Sequence, residues 1–267
     1  MRSFDYQKPT TIEDALSVLS GEDAMVLAGG MTLLPSMKQR LISCETLVDL
    51  SAVPGLSGIA REGDRLAIGA MTRHADVAAS DLVKETIPGL AALAAHIGDQ
   101  QVRHRGTIGG SISNNDPAAD YPAALVALGA EVETSTRIIP AEAFFTGMFE
   151  TALEPGEIVT RVLFPVPDMA GYGKFASPAS RYALAGVFVA KTGDVVRAAV
   201  TGAGPCVFRA PDIEEALNGS FTPEALERIT LDGTEILSDM HADRDYRMNL
   251  VVVMARKAVE TALKLAG

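Results

Sequence analysis

The sequence predicts an α+β protein of two domains joined near residues 165–171. Three observations carry this. Through the first 165 residues, short apolar strand runs are interspersed with helical stretches. From residue 172, three extended runs succeed one another with only turns between them, the pattern of an antiparallel meander. After residue 210 the patterning turns helical. Strands and helices that are grouped rather than regularly alternating indicate α+β.

Taken in order, Thr11 precedes IEDALSVL with Asp14 three residues on, which resembles a capping box opening an amphipathic helix that Gly21 closes. AMVLA (24–28) reads as a buried strand broken by Gly29 and Gly30, and TLVDL (46–50) as another. RLAIGA (65–70) is a strand, and Thr72 suits the N-cap of RHADVAAS. IPGLAALAAHIG (87–98) has proline near its start and glycine at its end, the asymmetry of a helix. PAALVALG is helical and AEVETS a strand. YGKFA (172–176), RYALAGVFVA (181–190) and DVVRAAVTGAG (194–204) form the meander. Helices are expected over 211–217, 222–230 and about 244–265, the last capped by Asp243.

The chain has 267 residues, enough for one large or two modest cores. With 23 Lys and Arg against 34 Asp and Glu, its net charge is −11. That argues against nucleic acid and anionic membranes, which require a basic footprint. The longest uncharged run, Ala24–Met37, contains Pro35 and falls short of the roughly 20 apolar residues of a membrane span. The opening MRSFDYQ lacks the apolar stretch of a signal peptide, so a cytoplasmic protein is expected. Cys44 and Cys206 are the only cysteines, too few to hold an iron–sulfur cluster, and read as small buried hydrophobes. The four histidines form no metal-binding motif, and His74 reads as structural.

Two glycine pairs stand out, in VLAGGMTLLPSM (26–37) and HRGTIGGSISNNDPAADYPAAL (104–125). Glycine lets successive backbone N–H groups converge on one oxygen, and such a turn makes an anion-binding hollow. Neither loop interior carries Lys or Arg, so an anion there would be held by amides and by the hydroxyls of Thr32, Ser36, Thr107 and Ser111. Asp120 suits a sugar or ribityl hydroxyl better than a phosphate, because like charges repel. Together these features suggest a dinucleotide cofactor; ordinary turns and helix caps are the other reading. There is no P-loop, and GAGPCV (202–207) fails the dinucleotide fingerprint after its second glycine.

Four segments in order resemble one family: AGGMTLLPSMKQRL, VRHRGTIGGSISNNDPAADYPAAL, FFTGMFETALEPGEIVTRVLFP and SDMHADRDYRMNL. The chain is similar over nearly its whole length to the FAD-binding medium subunits of the molybdenum hydroxylases, which include carbon monoxide dehydrogenase and the flavin portion of xanthine dehydrogenase. The resemblance implies a PCMH-type FAD-binding domain over 1–168, with two α/β subdomains at about 1–53 and 54–168. A C-terminal domain over 169–267 is expected to hold a three-stranded antiparallel sheet and helices. It implies FAD on this chain, molybdopterin on a large partner subunit and [2Fe–2S] clusters on a small one. Electrons would pass from those clusters through FAD to an external acceptor. The assembly implied is a heterotrimer, compatible with a dimer of heterotrimers.

The resemblance also places the site residues. Ala28, Gly29, Gly30, Met31, Thr32 and Leu33 would surround the FAD diphosphate and adenosine side. Thr107, Ile108, Gly109, Gly110 and Ser111 would line the diphosphate, and Asp120 the ribityl chain. Ile97 would pack on the flavin, Val159 would line the cofactor, and Lys174 and Tyr182 would stand near the ring. Thr72, a helix cap by position, would also face the cofactor. His104 stands where the family commonly has Asn.

Each placement has a plainer counterpart. Ile97 and Val159 also read as core, Lys174 as a solvated surface lysine, Tyr182 as core, and the acidic helix PDIEEAL (211–217) as a solvated face. The cofactor carries the redox chemistry, so no catalytic side chain and no metal ligand is expected here. The alternatives are a stand-alone FAD oxidoreductase of the same fold and a non-catalytic assembly subunit.

Overall fold

The computed structural model describes residues 1–21, 23–231 and 235–266. Gly267, the last residue of the expected C-terminal domain, lies outside them. Among the described residues, the strands form four sheets.

The N-terminal unit runs β1 (Asp5–Gln7), α1 (Ile12–Leu19), β2 (Ala24–Leu27), α2 (Leu33–Lys38) and β3 (Thr46–Asp49). All three strands are parallel in the order β1-β3-β2. The Thr11 hydroxyl accepts the Asp14 N–H at 3.1 Å and starts α1 as read from the sequence. Successive side chains of a strand point to opposite faces. Val48 therefore joins Ala15 on the α1 side, while Leu47 joins Met37 and Cys44 on the α2 side.

The middle unit begins with β4 (Ile59–Glu62) and β5 (Arg65–Gly69). Six helices follow: α3 (His74–Ala79), α4 (Asp81–Thr86), α5 (Pro88–Ala95), α6 (Gln100–Arg103), α7 (Ile108–Asn114) and α8 (Tyr121–Leu128). The unit closes with β6 (Glu131–Thr134), β7 (Ile138–Pro140), α9 (Ala141–Phe144), the small hairpin β8 (Phe145–Gly147) and β9 (Glu150–Thr151), and β10 (Val159–Pro165). Its antiparallel sheet has the order β4-β5-β10-β6-β7. Proline at the first position of α5 and a left-handed Gly129 after α8 mark those helices as the sequence suggests.

The last unit holds β11 (Met169–Ala176), β12 (Ala183–Thr192), β13 (Val195–Thr201), β14 (Phe208–Arg209), α10 (Pro211–Gly219) and α11 (Arg244–Ala266). The expected meander is present, with the two-residue β14 as a fourth strand on its edge. The helix expected over 222–230 is only a 3₁₀ turn, Pro223–Leu226. The acidic helix is not simply a solvated face: the buried Glu214 accepts the Ala198 N–H at 2.9 Å and pairs with Arg209. The segment SDMHADRDYRMNL has a structural role, since buried Arg247 donates to the carbonyls of Leu184 and Gly202 and pairs with Asp239.

The third sheet is apolar on both faces. Val187, Val189, Ala198 and Val200 pack with Met254, Ala255, Ala258 and Val259 of α11. Phe188, Ala190 and Ala199 turn the other way and join the core of the middle unit, with Tyr172 beside them. This second face brings β11 against α5, and β12 and β13 against α8.

Candidate cofactor site

The two glycine loops touch. A Cβ on Gly29 would lie 2.2 Å from the Arg105 carbonyl oxygen and 2.8 Å from Gly106 Cα. One on Gly110 would lie 3.6 Å from Ala28 Cβ. Only glycine allows the backbones to approach this closely. Gly30 also has φ +72°, a left-handed conformation that turns the chain from β2 toward α2.

The loops differ in the donors they leave open. In the first, the N–H groups of Gly29, Gly30, Met31, Thr32 and Leu33 have no acceptor among the described residues. In the second, Ile108 N–H donates to Thr72 O at 3.1 Å, Gly109 N–H to Ala70 O at 2.8 Å, and Gly110 N–H to the Thr107 hydroxyl at 3.2 Å. The second loop spends these amides on its own docking, and Ser111 supplies a hydroxyl beside it. A row of open amides with added hydroxyls is a donor set fitted to a diphosphate.

Thr72 is not the cap of α3. Arg73 holds that position without a side-chain bond, and the Thr72 hydroxyl accepts Gly58 N–H at 3.0 Å and donates to Gly58 O at 3.1 Å. The residue before a helix and a residue tied to an earlier turn look alike in sequence. Ile108 is fully buried in the middle core, and Leu33 is half-buried beside Met37 and Leu47. These two contribute backbone, not side chain, to the loops. Met31 and Thr32 are exposed.

A second group gathers around Asp120. Its carboxylate accepts the Tyr172 hydroxyl at 2.5 Å and Lys174 Nζ at 2.9 Å. Lys174 is not a solvated surface lysine: it also donates to His96 O at 3.2 Å, and its side chain is only 6% exposed. Burial raises the Asp120 pKa, and the Lys174 charge and Tyr172 hydrogen bond oppose that rise. Ile97, next to His96, packs against the middle core, and Arg103 Nη1 holds its carbonyl at 3.0 Å. Tyr182 is 46% exposed, so it is not core; its pKa is raised by burial and by nearby Asp116 and Asp120. Val159 is buried at the start of β10, a strand packed on α7.

Residues 2–167 match the FAD-binding domain in molybdopterin dehydrogenase, and residues 177–262 match the CO dehydrogenase flavoprotein C-terminal domain. The chain belongs to this FAD-binding family. It is 39% identical to the nicotine 6-hydroxylase medium subunit of Paenarthrobacter nicotinovorans, covering 96% of each chain. It is 37% identical to the carbon monoxide dehydrogenase medium chain of Afipia carboxidovorans, covering 97% of this chain and 96% of the relative. Its fold superposes on a chain of reconstituted CO dehydrogenase from Oligotropha carboxidovorans with a TM-score of 0.91, at 35% identity and 99% coverage of both.

Two residues of this family member escaped the sequence reading. Tyr172 lies two positions before Lys174 on β11, so both side chains share a strand face, a signal that strand alternation offers. Asn115 is buried with φ +42°, and its Nδ2 holds the carbonyls of Gly147 and Glu150, both at 2.8 Å. It ties the end of α7 to the β8–β9 hairpin, a contact across 32 and 35 positions that no local pattern announces.

Proposed function

We propose that this chain is the FAD-binding electron-transfer subunit of a multi-subunit molybdenum hydroxylase or dehydrogenase. In this role it collects electrons from [2Fe–2S] clusters of a small subunit, whose partner is a large molybdopterin subunit. The observation that carries the reading is the row of five open amides at residues 29–33, braced against the second glycine loop. Bound FAD would supply the redox chemistry itself. The chain's residues bind and orient it. Gly29 to Leu33 hold the diphosphate by N–H donation, with Thr32 and Ser111 adding hydroxyls. Asp120 accepts from the ribityl hydroxyls. Lys174 and Tyr182 stand at the ring end, with Ile97 and Val159 as apolar walls.

The chain divides, in this reading, at about residues 53/54 and 168/169. The first sheet, the second sheet and the third fall in these three stretches. The assembly is a heterotrimer that pairs into a dimer of heterotrimers. Its location in this reading is cytoplasmic. No described helix is long and apolar enough to cross a membrane.

The test is to purify the chain with its co-expressed partners. The complex is expected to show flavin absorbance and to release FAD on denaturation. Gly29→Ala, whose Cβ meets the Arg105 carbonyl, is expected to lose at least about nine-tenths of that flavin, equivalent to roughly 1.4 kcal/mol of binding or more. A complex fully loaded with molybdopterin and iron–sulfur clusters but lacking FAD would overturn the assignment.

A further inference from the structure

We infer that Tyr172 is a positioning residue for the flavin: with Lys174 it fixes the Asp120 carboxylate, leaving acceptor capacity for the cofactor's polyol. This rests on the FAD reading above.

Asp120 directly precedes α8, where an aspartate ordinarily caps the helix by accepting an N–H of the first turn. Here it makes no cap bond, its backbone is already helical, and Pro122 has removed one of the donors it would serve. The carboxylate turns instead toward β11, 52 and 54 positions away. Asp120 is 5% exposed and Tyr172 6%, so both polar groups have left water to meet each other. An isolated buried carboxylate would take up a proton and cease to be a full acceptor. The Lys174 charge and the Tyr172 hydrogen bond both favour the ionised form. Lys174 Nζ lies 2.9 Å from both carboxylate oxygens and the Tyr172 hydroxyl meets one of them, three contacts that leave a carboxylate's fourth acceptor position open.

The facing strand makes room for this arrangement. Gly186 pairs with Lys174 across β11 and β12, and a Cβ there would lie 2.4 Å from the Tyr172 hydroxyl. The other charged or titratable groups near Asp120 are His96 at the end of α5, Tyr121 at the start of α8, and Tyr182. Asp116 is a further neighbour of Tyr182.

The test titrates FAD into the deflavinated complex between pH 5.5 and 8. The wild-type affinity is expected to be nearly flat. Tyr172→Phe should weaken binding about tenfold at pH 7, a loss of roughly 1.4 kcal/mol, and progressively more toward acid as Asp120 protonates. Asp120→Asn should be weak at every pH, without the acid limb. Gly186→Ala keeps the phenol but displaces its hydroxyl, so it should reproduce the acid limb even if Tyr172→Phe fails to assemble. In the Tyr172→Phe background Gly186→Ala should add little further loss. A Tyr172→Phe complex with wild-type affinity and pH profile, or one weakened uniformly without an acid limb, overturns the inference. So does a Gly186→Ala complex with no acid limb. A wild-type complex that takes up no FAD instead defeats the functional reading itself.

Discussion

His74 shows how one side chain ties the second glycine loop to conditions in solution. It opens α3, its backbone N–H donates to Gly106 O at 3.0 Å, and its ring lies 5.4 Å from that of Tyr121. A Cβ on Gly106 would sit 2.5 Å from its Nε2, so the imidazole packs directly against the second glycine loop. Its Nδ1 is buried without a partner among the described residues. Burial, aided by the Arg103 charge, lowers its pKa from 6.5 to about 4. Between those values the unfolded chain binds the proton and the folded chain does not. Acid therefore favours unfolding, and the folded state keeps its full advantage only above pH 6.5. Stability should fall by up to about 3 kcal/mol as pH drops from 6.5 to 4. Urea midpoints of the wild type and His74→Gln, measured at pH 7 and 4.5, check this. The variant should lose most of the pH dependence, and an equally steep decline in both would show that another group is responsible.

Among the elements, β11 and α11 meet backbone to backbone. A Cβ on Gly171 would lie 2.1 Å from Ala258 O, and one on Gly173 2.2 Å from Met254 O. The helix backbone rests on the strand backbone, with no side chain between them. Gly171→Ala must lift the helix or bend the strand, at a cost of about 2–3 kcal/mol. A denaturant melt should show this loss, and an unchanged midpoint would mean that the helix has room to shift. The role of these glycines is not legible locally, because a glycine in a strand looks the same whether it faces a helix, a ligand or solvent. The strands themselves were legible, since AMVL, TLVD and the meander runs declare themselves by apolar patterning and by the turns that bound them, but β2 is not the buried strand expected: it lies at the edge of its sheet, half-buried, with Val26 exposed. The short helix expected after Thr222 was not, since its composition permits a helix but Pro223 to Leu226 pack only as a 3₁₀ turn. The glycine loops were legible as tight backbone turns, but which amides stay open depends on Ala70 and Thr72 accepting from the second loop. The Tyr172–Asp120 contact joins two elements that no local window brings together.

For the whole molecule, the arrangement of cores matters more than the number of sheets. The N-terminal unit has two small apolar clusters, one on each face of its parallel sheet, and the one on the α1 side also takes in Leu56 and Ile158 of the middle unit. The middle core does not stop at its last strand, since Ala170, Tyr172, Phe188, Ala190 and Ala199 belong to it as fully as Ile108 or Leu125. Phe188 and Tyr172 serve there as packing for α5 and α8, while alternate residues of the same strands pack on α11. A gene severed after codon 168 would therefore part surfaces that have no other cover. Each fragment would present an apolar wall to water, and such walls associate without selectivity. Produced separately, the fragments are expected in the insoluble fraction, and produced together they should recover one another, as comparison of the two expressions on a gel would reveal.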